Sequence, residues 1–303
     1  MSTSDDTEFP HKIIDYMLGF LASKALFSAS ELGVFDILLN SKTPLSCADI
    51  AEQACCTVDG MDKLLTACAG LKLLRRTQKN GKCLYSNTHH SQLYLGKSSP
   101  KSLYPMGKYM SSTMYLLSHY MDDSVREGKP NYDKLCEMDC KDIFGFKSIY
   151  RSEEETFKFL GFMDCIWKVC GNEVVTAFDL SQFNNICDIG GNFFKDPLPE
   201  AELYILARIL HDWKDDECLF LLKNLYKSCK PGGAILIIET VMNEHKSGPF
   251  QSLLFTLMML IATAGMERTT CEYSKLLKTA GFQNIETGKT GKLYNAILAR
   301  KLT

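Results

Sequence analysis

The spacing of apolar residues changes character partway along the chain. Up to about residue 100 it is helical: Ile14, Met17, Leu18, Leu21 and Ala25 recur at three and four and line one side of a helix, away from Asp15 and Lys24. Ser46 is placed to cap a short helix over 48–54, and 59–74 repeats the pattern as far as the basic pair Arg75-Arg76. Asn80-Gly81 then separates the short runs 73–77 and 83–86, a hairpin signal because both central positions of a tight two-residue turn need positive φ. Residues 101–178 return to helical spacing, with Tyr109, Tyr115, Tyr120, Tyr150 and Trp167 among apolar neighbours, which reads first as core packing.

After Phe183 the pattern shortens. Residues 186–189, 203–206 and 234–238 are brief runs rich in Ile and Leu, suited to central strands of a parallel sheet. A helix over 215–230, stopped by Lys230-Pro231-Gly232-Gly233, joins the last two into one βαβ unit. A helix over 271–279, a stop at Gly281 and a strand over 294–299 close the chain. The pattern predicts an α/β protein of two domains, helical over 1–100 and sheet-based over 101–303.

Composition narrows the partners. The 303 residues are 46% hydrophobic and 23% charged, with a net charge of −2, which suits a folded globular chain and supplies no general basic field for nucleic acid or anionic lipid. The thirteen cysteines are odd in number and form no CxxC pair, and the start MSTSDDTEFPHK is acidic where a secretion leader is basic and then apolar. The expectation is reduced thiols and a cytoplasmic location. One window, 247–266, carries no charge but holds Pro249, Gln251 and Ser252, so it reads as a buried or interface helix with no membrane partner. Helix, helix, hairpin is the order of a winged helix. No recognition helix rich in Arg and Asn stands in it, so homodimerisation is the expected use and DNA binding the rival one.

Three segments carry the chemistry: CDIGG (187–191), FFKDPLPEAELYILARILHDW (193–213) and KSCKPGGAILIIET (227–240). With ELGVFDILL (31–39) and YRSEEE (150–155), they resemble the class I S-adenosylmethionine-dependent O-methyltransferases of small phenols and hydroxyindoles over nearly the whole chain. The resemblance implies a helical, winged-helix-like dimerisation domain followed by a Rossmann-like methyltransferase domain, with S-adenosylmethionine as cofactor and a small hydroxyindole, such as N-acetylserotonin, or a phenol as substrate. Methyl transfer needs a hydroxyl held in line with the methyl carbon and a base for its proton, a task that suits histidine near neutral pH. His211 lies just past a strand, at the edge where ligands gather in open α/β sheets; alone it fits a structural hydrogen-bonding role, and the resemblance implies the catalytic base. The resemblance also implies that Glu239 and Glu267 flank that base, that Tyr150, Trp167, Asp188, Gly190, Gly191, Asn192, Phe193 and Arg208 touch the cofactor, and that Asp212, Met258 and Ala262 face the substrate. No metal is implied.

The chain departs from that pattern in one block. Between Ile189 and Leu203 there is no helical segment, and Pro197 and Pro199 forbid one in the second half. The family continues from its first glycines through a helix, a strand ending in the acid that holds the ribose, another helix and a third strand; here Gly191 runs directly into Asn192. The Rossmann-like domain is therefore expected to be internally shortened near 191–192. Losing the ribose acid removes charge-assisted hydrogen bonds worth about 1.5 to 3 kcal/mol each, and losing strands exposes apolar sheet edges. Met258 and Ala262 stand where the hydroxyindole enzymes carry amides. The alternative use of such a chain is as a non-catalytic partner of a complete subunit.

Overall fold

The computed structural model describes residues 10–136, 152–190, 193–263 and 265–302. The chain divides into two compact units, one of residues 1–112 with 160–166, the other of 113–159 with 167–303.

The first unit contains α1 (His11–Glu31), α2 (Val34–Asn40), β1 (Leu45–Ser46), α3 (Cys47–Gln53), α4 (Val58–Gly70), β2 (Leu74–Lys79), β3 (Lys82–Asn87) and α5 (His89–Tyr94). Ser46 caps α3 reciprocally: its Oγ accepts from the Asp49 N–H, and Asp49 Oδ2 accepts from the Ser46 N–H. Asn80 and Gly81 take φ of 52° and 73° and let β2 turn back onto β3. The helix expected over 59–74 ends earlier, at Gly70. Lys72 adopts φ 59°, and Leu74 leaves the helix to start β2 with its side chain buried. The run Leu71, Leu73, Leu74 satisfies helical and strand spacing alike, and pairing with β3 decides between them. The core of this unit is Phe35, Ile50, Met61, Leu65 and Tyr85.

The apolar stripe of α1 does not enter that core. Met17, Leu18 and Leu21 are 69%, 52% and 54% exposed. At 21 residues, α1 is long and apolar enough, by length and composition alone, to cross a membrane. The charge-free window 247–266, in contrast, forms a helix of only 13 residues.

The second unit is built on a five-stranded sheet. A long helix α6 (Glu153–Val175) is shared between the two units, and then come β4 (Ile186–Asp188), β5 (Ala201–Ala207), α7 (Asp215–Ser228), β6 (Cys229–Glu239), β7 (Val241–Met242), α8 (Phe250–Ala262), β8 (Arg268–Thr269), α9 (Thr270–Ala280), β9 (Gln283–Gly288) and β10 (Asn295–Arg300). The strand order is β4-β5-β6-β10-β9, with β4, β5 and β6 parallel and β10 antiparallel to both its neighbours. Leu221, Leu222 and Leu225 of α7 and Tyr273 and Leu277 of α9 bury against Tyr204, Leu206, Ile235 and Ile237 of the sheet. Gly281 ends α9 at φ 111°, a conformation open to glycine.

No helix lies between β4 and β5 among the described residues, yet the two strands pair in parallel register, Ile186 with Leu203 and Asp188 with Ile205. Aromatic rings fill part of the space beside the connection: Phe193 and Phe194 pack on Trp213 at 6.0 and 4.6 Å. The pairing leaves β4 as an edge strand. Ile186 is 48% exposed on it, the apolar sheet edge expected from a missing block.

Candidate active site

The parallel strands direct their carboxyl ends to one edge of the sheet, where Asp188, Arg208, His211 and Glu239 stand. β5 ends at Ala207; Arg208 follows with φ 58°, a left-handed conformation that costs a non-glycine residue about 1 kcal/mol or more and marks a constrained position. A 3₁₀ turn, Leu210–Asp212, then presents His211. Glu239 ends the neighbouring strand β6, and Glu267 immediately precedes β8.

The two acids hold His211 in different ways. Glu267 Oε1 lies 3.0 Å from His211 Nδ1 and hydrogen-bonds the ring. Glu239 Oε1 instead accepts three backbone N–H groups, from Ile209 (3.0 Å), Leu210 (2.8 Å) and His211 (3.3 Å), while its Oε2 lies 3.4 Å from Nδ1. One carboxylate therefore fixes the imidazole and the other fixes the turn that carries it. Both acids are fully buried, and neither Oε2 makes a hydrogen bond. Asp212 Oδ1 stands 3.7 Å from the other ring nitrogen, Nε2.

Three carboxyls surround one imidazole. Burial works against a charged imidazole, but Glu239, Glu267 and Asp212 outweigh it and push His211 up to about 10. Burial raises Glu239 to about 7 and Asp212 to about 6, each opposed by the charge on His211. The cluster carries more acid than base, so this edge of the sheet is a negative field that suits a cation. His211, Glu239 and Glu267 also bring donor atoms within 4.8 Å of one another, a grouping the sequence did not mark as metal-binding.

The other residues singled out in the sequence divide in several directions. Asp188 is at the tip of β4, its carboxyl raised by partial burial and lowered again by the Arg208 guanidinium across from it. A Cβ on Gly190 would meet nothing within 4 Å, so the glycine turn is open. Phe193 is buried in the apolar core beneath that edge, its ring against Phe194 and Trp213. Trp167 packs along its own helix, close enough to Gly171 that a Cβ there would come within 2.8 Å of the indole. Met258 and Ala262 are one turn apart on α8, half-buried and buried. Tyr150, Gly191 and Asn192 lie outside the described residues.

Two residues were not anticipated. Tyr294 is buried with Arg208 5.7 Å from its ring, and Arg268 is buried against the His211 turn. The adjacent Glu267-Arg268, ending a charge-free stretch, was the available signal for the second; Tyr294 looked like the first residue of a strand.

Comparison with known proteins agrees with this geometry. The O-methyltransferase dimerisation domain family matches residues 14–97, and the O-methyltransferase domain family matches 118–192 and 189–283, two segments that meet at the glycine turn. Acetylserotonin O-methyltransferase of Gallus gallus is 43% identical over 348 aligned positions, covering 99% of this chain and 100% of the relative. This chain has 303 residues, so at least 45 of those positions have no counterpart in it. The crystal structure of human N-acetylserotonin methyltransferase in complex with SAM superposes with a TM-score of 0.92 at 40% identity, covering 100% of both chains. PigF with SAH shares the fold at a TM-score of 0.81 and 24% identity, covering 97% of this chain and 100% of that one. A relationship that spans both halves of the chain, with the methyltransferase match interrupted at residues 189–192, leaves no room for a chance likeness: the chain belongs to the S-adenosylmethionine-dependent O-methyltransferase family, with an internal block of the cofactor domain missing.

Proposed function

We propose that this polypeptide carries the acceptor half of a hydroxyindole O-methyltransferase, complete in its base, together with a reduced cofactor half. His211 takes the proton of the acceptor hydroxyl at Nε2, the ring nitrogen not engaged by Glu267. Glu267 receives the Nδ1–H and fixes the tautomer, and Glu239 keeps the turn in place. Asp212, on the Nε2 side, is positioned to orient the acceptor hydroxyl. The observation that carries this reading is the Glu267–His211 contact at the carboxyl edge of the sheet, with Glu239 bound to the same turn.

S-adenosylmethionine supplies the methyl group on a sulfonium cation. The residues present fit one end of it: the negative field of the acid cluster suits the cation, and Asp188, Gly190 and Arg208 would hold the portion next to it. The ribose end has no matching acid among the described residues, because the strand that would bear it is absent. Trp167 and Phe193, with Tyr150, Gly191 and Asn192, complete the cofactor set on the family resemblance alone. The hydroxyindole acceptor is supported by the relatives' names, while Met258 and Ala262, assigned to the substrate side by the family resemblance, are apolar.

The partner is a second copy of this chain. The match to a dimerisation domain and the exposed stripe of α1 support it. The α3–α4–hairpin arrangement is a winged-helix layout used for pairing; Asp59 and Asp62, exposed on α4, oppose a nucleic-acid phosphate backbone. Free thiols at the described cysteines favour the cytoplasm.

The test is methyl transfer by a chain in which the missing block is inserted after Gly191 from a complete relative. Transfer to a hydroxyindole is expected to return, and His211→Ala is expected to reduce it by about 10² to 10⁴. Activity that His211→Ala leaves within about threefold would make His211 structural.

A further inference from the structure

The turn that carries His211 has its N–H groups collected by Glu239, and its carbonyls have a collector as well. Arg268 is 1% exposed and spends its whole guanidinium on this turn and the start of α7. Its NH1 donates to Leu210 O (2.7 Å), its NH2 to Trp213 O (2.7 Å), and Nε and NH2 both donate to Asp215 Oδ1 at 3.0 and 2.8 Å. A second carbonyl of the turn, His211 O, accepts from the Met266 N–H at 2.9 Å. Gly265 makes that approach possible, since a Cβ there would stand 1.9 Å from His211 O. Segment 265–268 thus supplies the ring partner, Glu267, and also binds two carbonyls of the turn and the Trp213 carbonyl just after it.

We infer that Arg268 is a positioning residue for the methyl-transfer reaction: it locks the His211 turn to the segment bearing Glu267, so that the imidazole and its acids keep one geometry. The physical reason for arginine is its planar fork. Three of its nitrogens satisfy a carboxylate and two carbonyls at fixed angles, which a lysine ammonium on a flexible stem cannot reproduce. Asp215 is the outer anchor, with a side chain 68% exposed while Arg268 stays buried. The inference rests on reading His211 as the base, but its test reads the ring directly and so separates the two ideas.

The measurement is the titration of the His211 imidazole by nuclear magnetic resonance in the chain as it stands, with His211→Ala to assign the signal. The charged groups that act on the ring are Glu239 from β6, Glu267 before β8 and Asp212 on its own turn; Arg208 from the end of β5 acts on Asp212, and the Tyr273 hydroxyl of α9 faces the two glutamates. Removing a cation by Arg268→Met would on charge alone raise the midpoint. Loss of position separates the ring from its acids, and the midpoint is expected to fall instead, by about one pH unit or more. Arg268→Lys is expected to lie between, and Leu225→Ala, a core truncation of α7, is expected to leave the midpoint unchanged at a similar loss of stability. If Arg268→Met does not fold, Asp215→Ala removes the outer anchor from the surface and is expected to shift the midpoint in the same direction. An unchanged or raised midpoint in the folded Arg268→Met or Asp215→Ala chain, or an equal fall in Leu225→Ala, overturns the inference. A fall in the midpoint together with full activity in His211→Ala of the block-restored chain would uphold the positioning and refute the base.

Discussion

At the scale of single residues, Glu239 and Glu267 are chemically alike but perform different tasks, and their amide variants separate them. Glu239→Gln retains an oxygen for the three N–H groups of the turn while removing the partner that contributes most to raising His211. The imidazole then gives up its proton at lower pH, so in the block-restored chain the rise of methyl transfer with pH is expected to move toward neutrality with the rate above it retained. Glu267→Gln can present its NH₂ to Nδ1 and select the wrong tautomer, and a loss of about 10² to 10⁴ at every pH is expected, as for a misoriented histidine in other base-dependent sites. Rate profiles across pH measure both. Two profiles of the same shape and height would contradict the division. The sequence showed these acids only as ends of apolar runs; their convergence depends on strand order, which no local spacing contains. Arg268 was hidden for the same reason, since its partners Leu210, Trp213 and Asp215 lie more than fifty positions away.

At the scale of elements, α1 leaves an apolar face uncovered. Ile13, Tyr16, Met17, Leu18, Phe20 and Leu21 are all more than half exposed on one helix, and an apolar face of that kind is stable in water when something covers it. A dimer through α1 is therefore expected, with Leu18→Asp combined with Leu21→Asp shifting it to monomer. Light scattering at tens of micromolar measures this, and a monomeric parent chain would contradict it. What the sequence revealed of the elements follows local chemistry. The Asn80-Gly81 hairpin, the Ser46 cap and the Gly281 stop were legible because a few adjacent residues determine each. β9 was not, because its residues are mostly exposed and polar and its pairing to β10 supplies what its composition lacks. The direct pairing of β4 with β5 was equally hidden. The absence of a connecting helix was readable, while the parallel register that forms without one depends on packing around Phe193, Phe194 and Trp213.

At the scale of the whole molecule, the buried cluster couples the fold to pH. His211, Glu239 and Asp212 all bind protons more tightly folded than their ordinary values of 6.5, 4.5 and 3.8 imply, at about 10, 7 and 6. Burial also raises the thiols of Cys68 and Cys218, to about 11 and 12. These groups therefore hold more protons in the folded chain than in the unfolded one, so the stability they contribute is present in acid and is lost as pH rises, while carboxyls held below their ordinary value, such as Asp49 and Glu202, act in the opposite sense only at acid pH. The melting temperature is expected to fall between about pH 5.5 and pH 9, and to fall less in Glu239→Gln, which removes one raised group and relaxes another. A melting temperature that rises over that range would contradict the proton inventory. The same cluster, the proposed base machinery, lies outside the missing block, whereas the proposed cofactor cradle is cut at the glycine turn. Calorimetric titration with S-adenosylmethionine, on this chain and on the block-restored chain side by side, tests this division most directly. Binding about 100-fold weaker in this chain than in the restored one is predicted from the loss of the ribose contacts; equal affinities would contradict the claim and show that other residues rebuild the cradle.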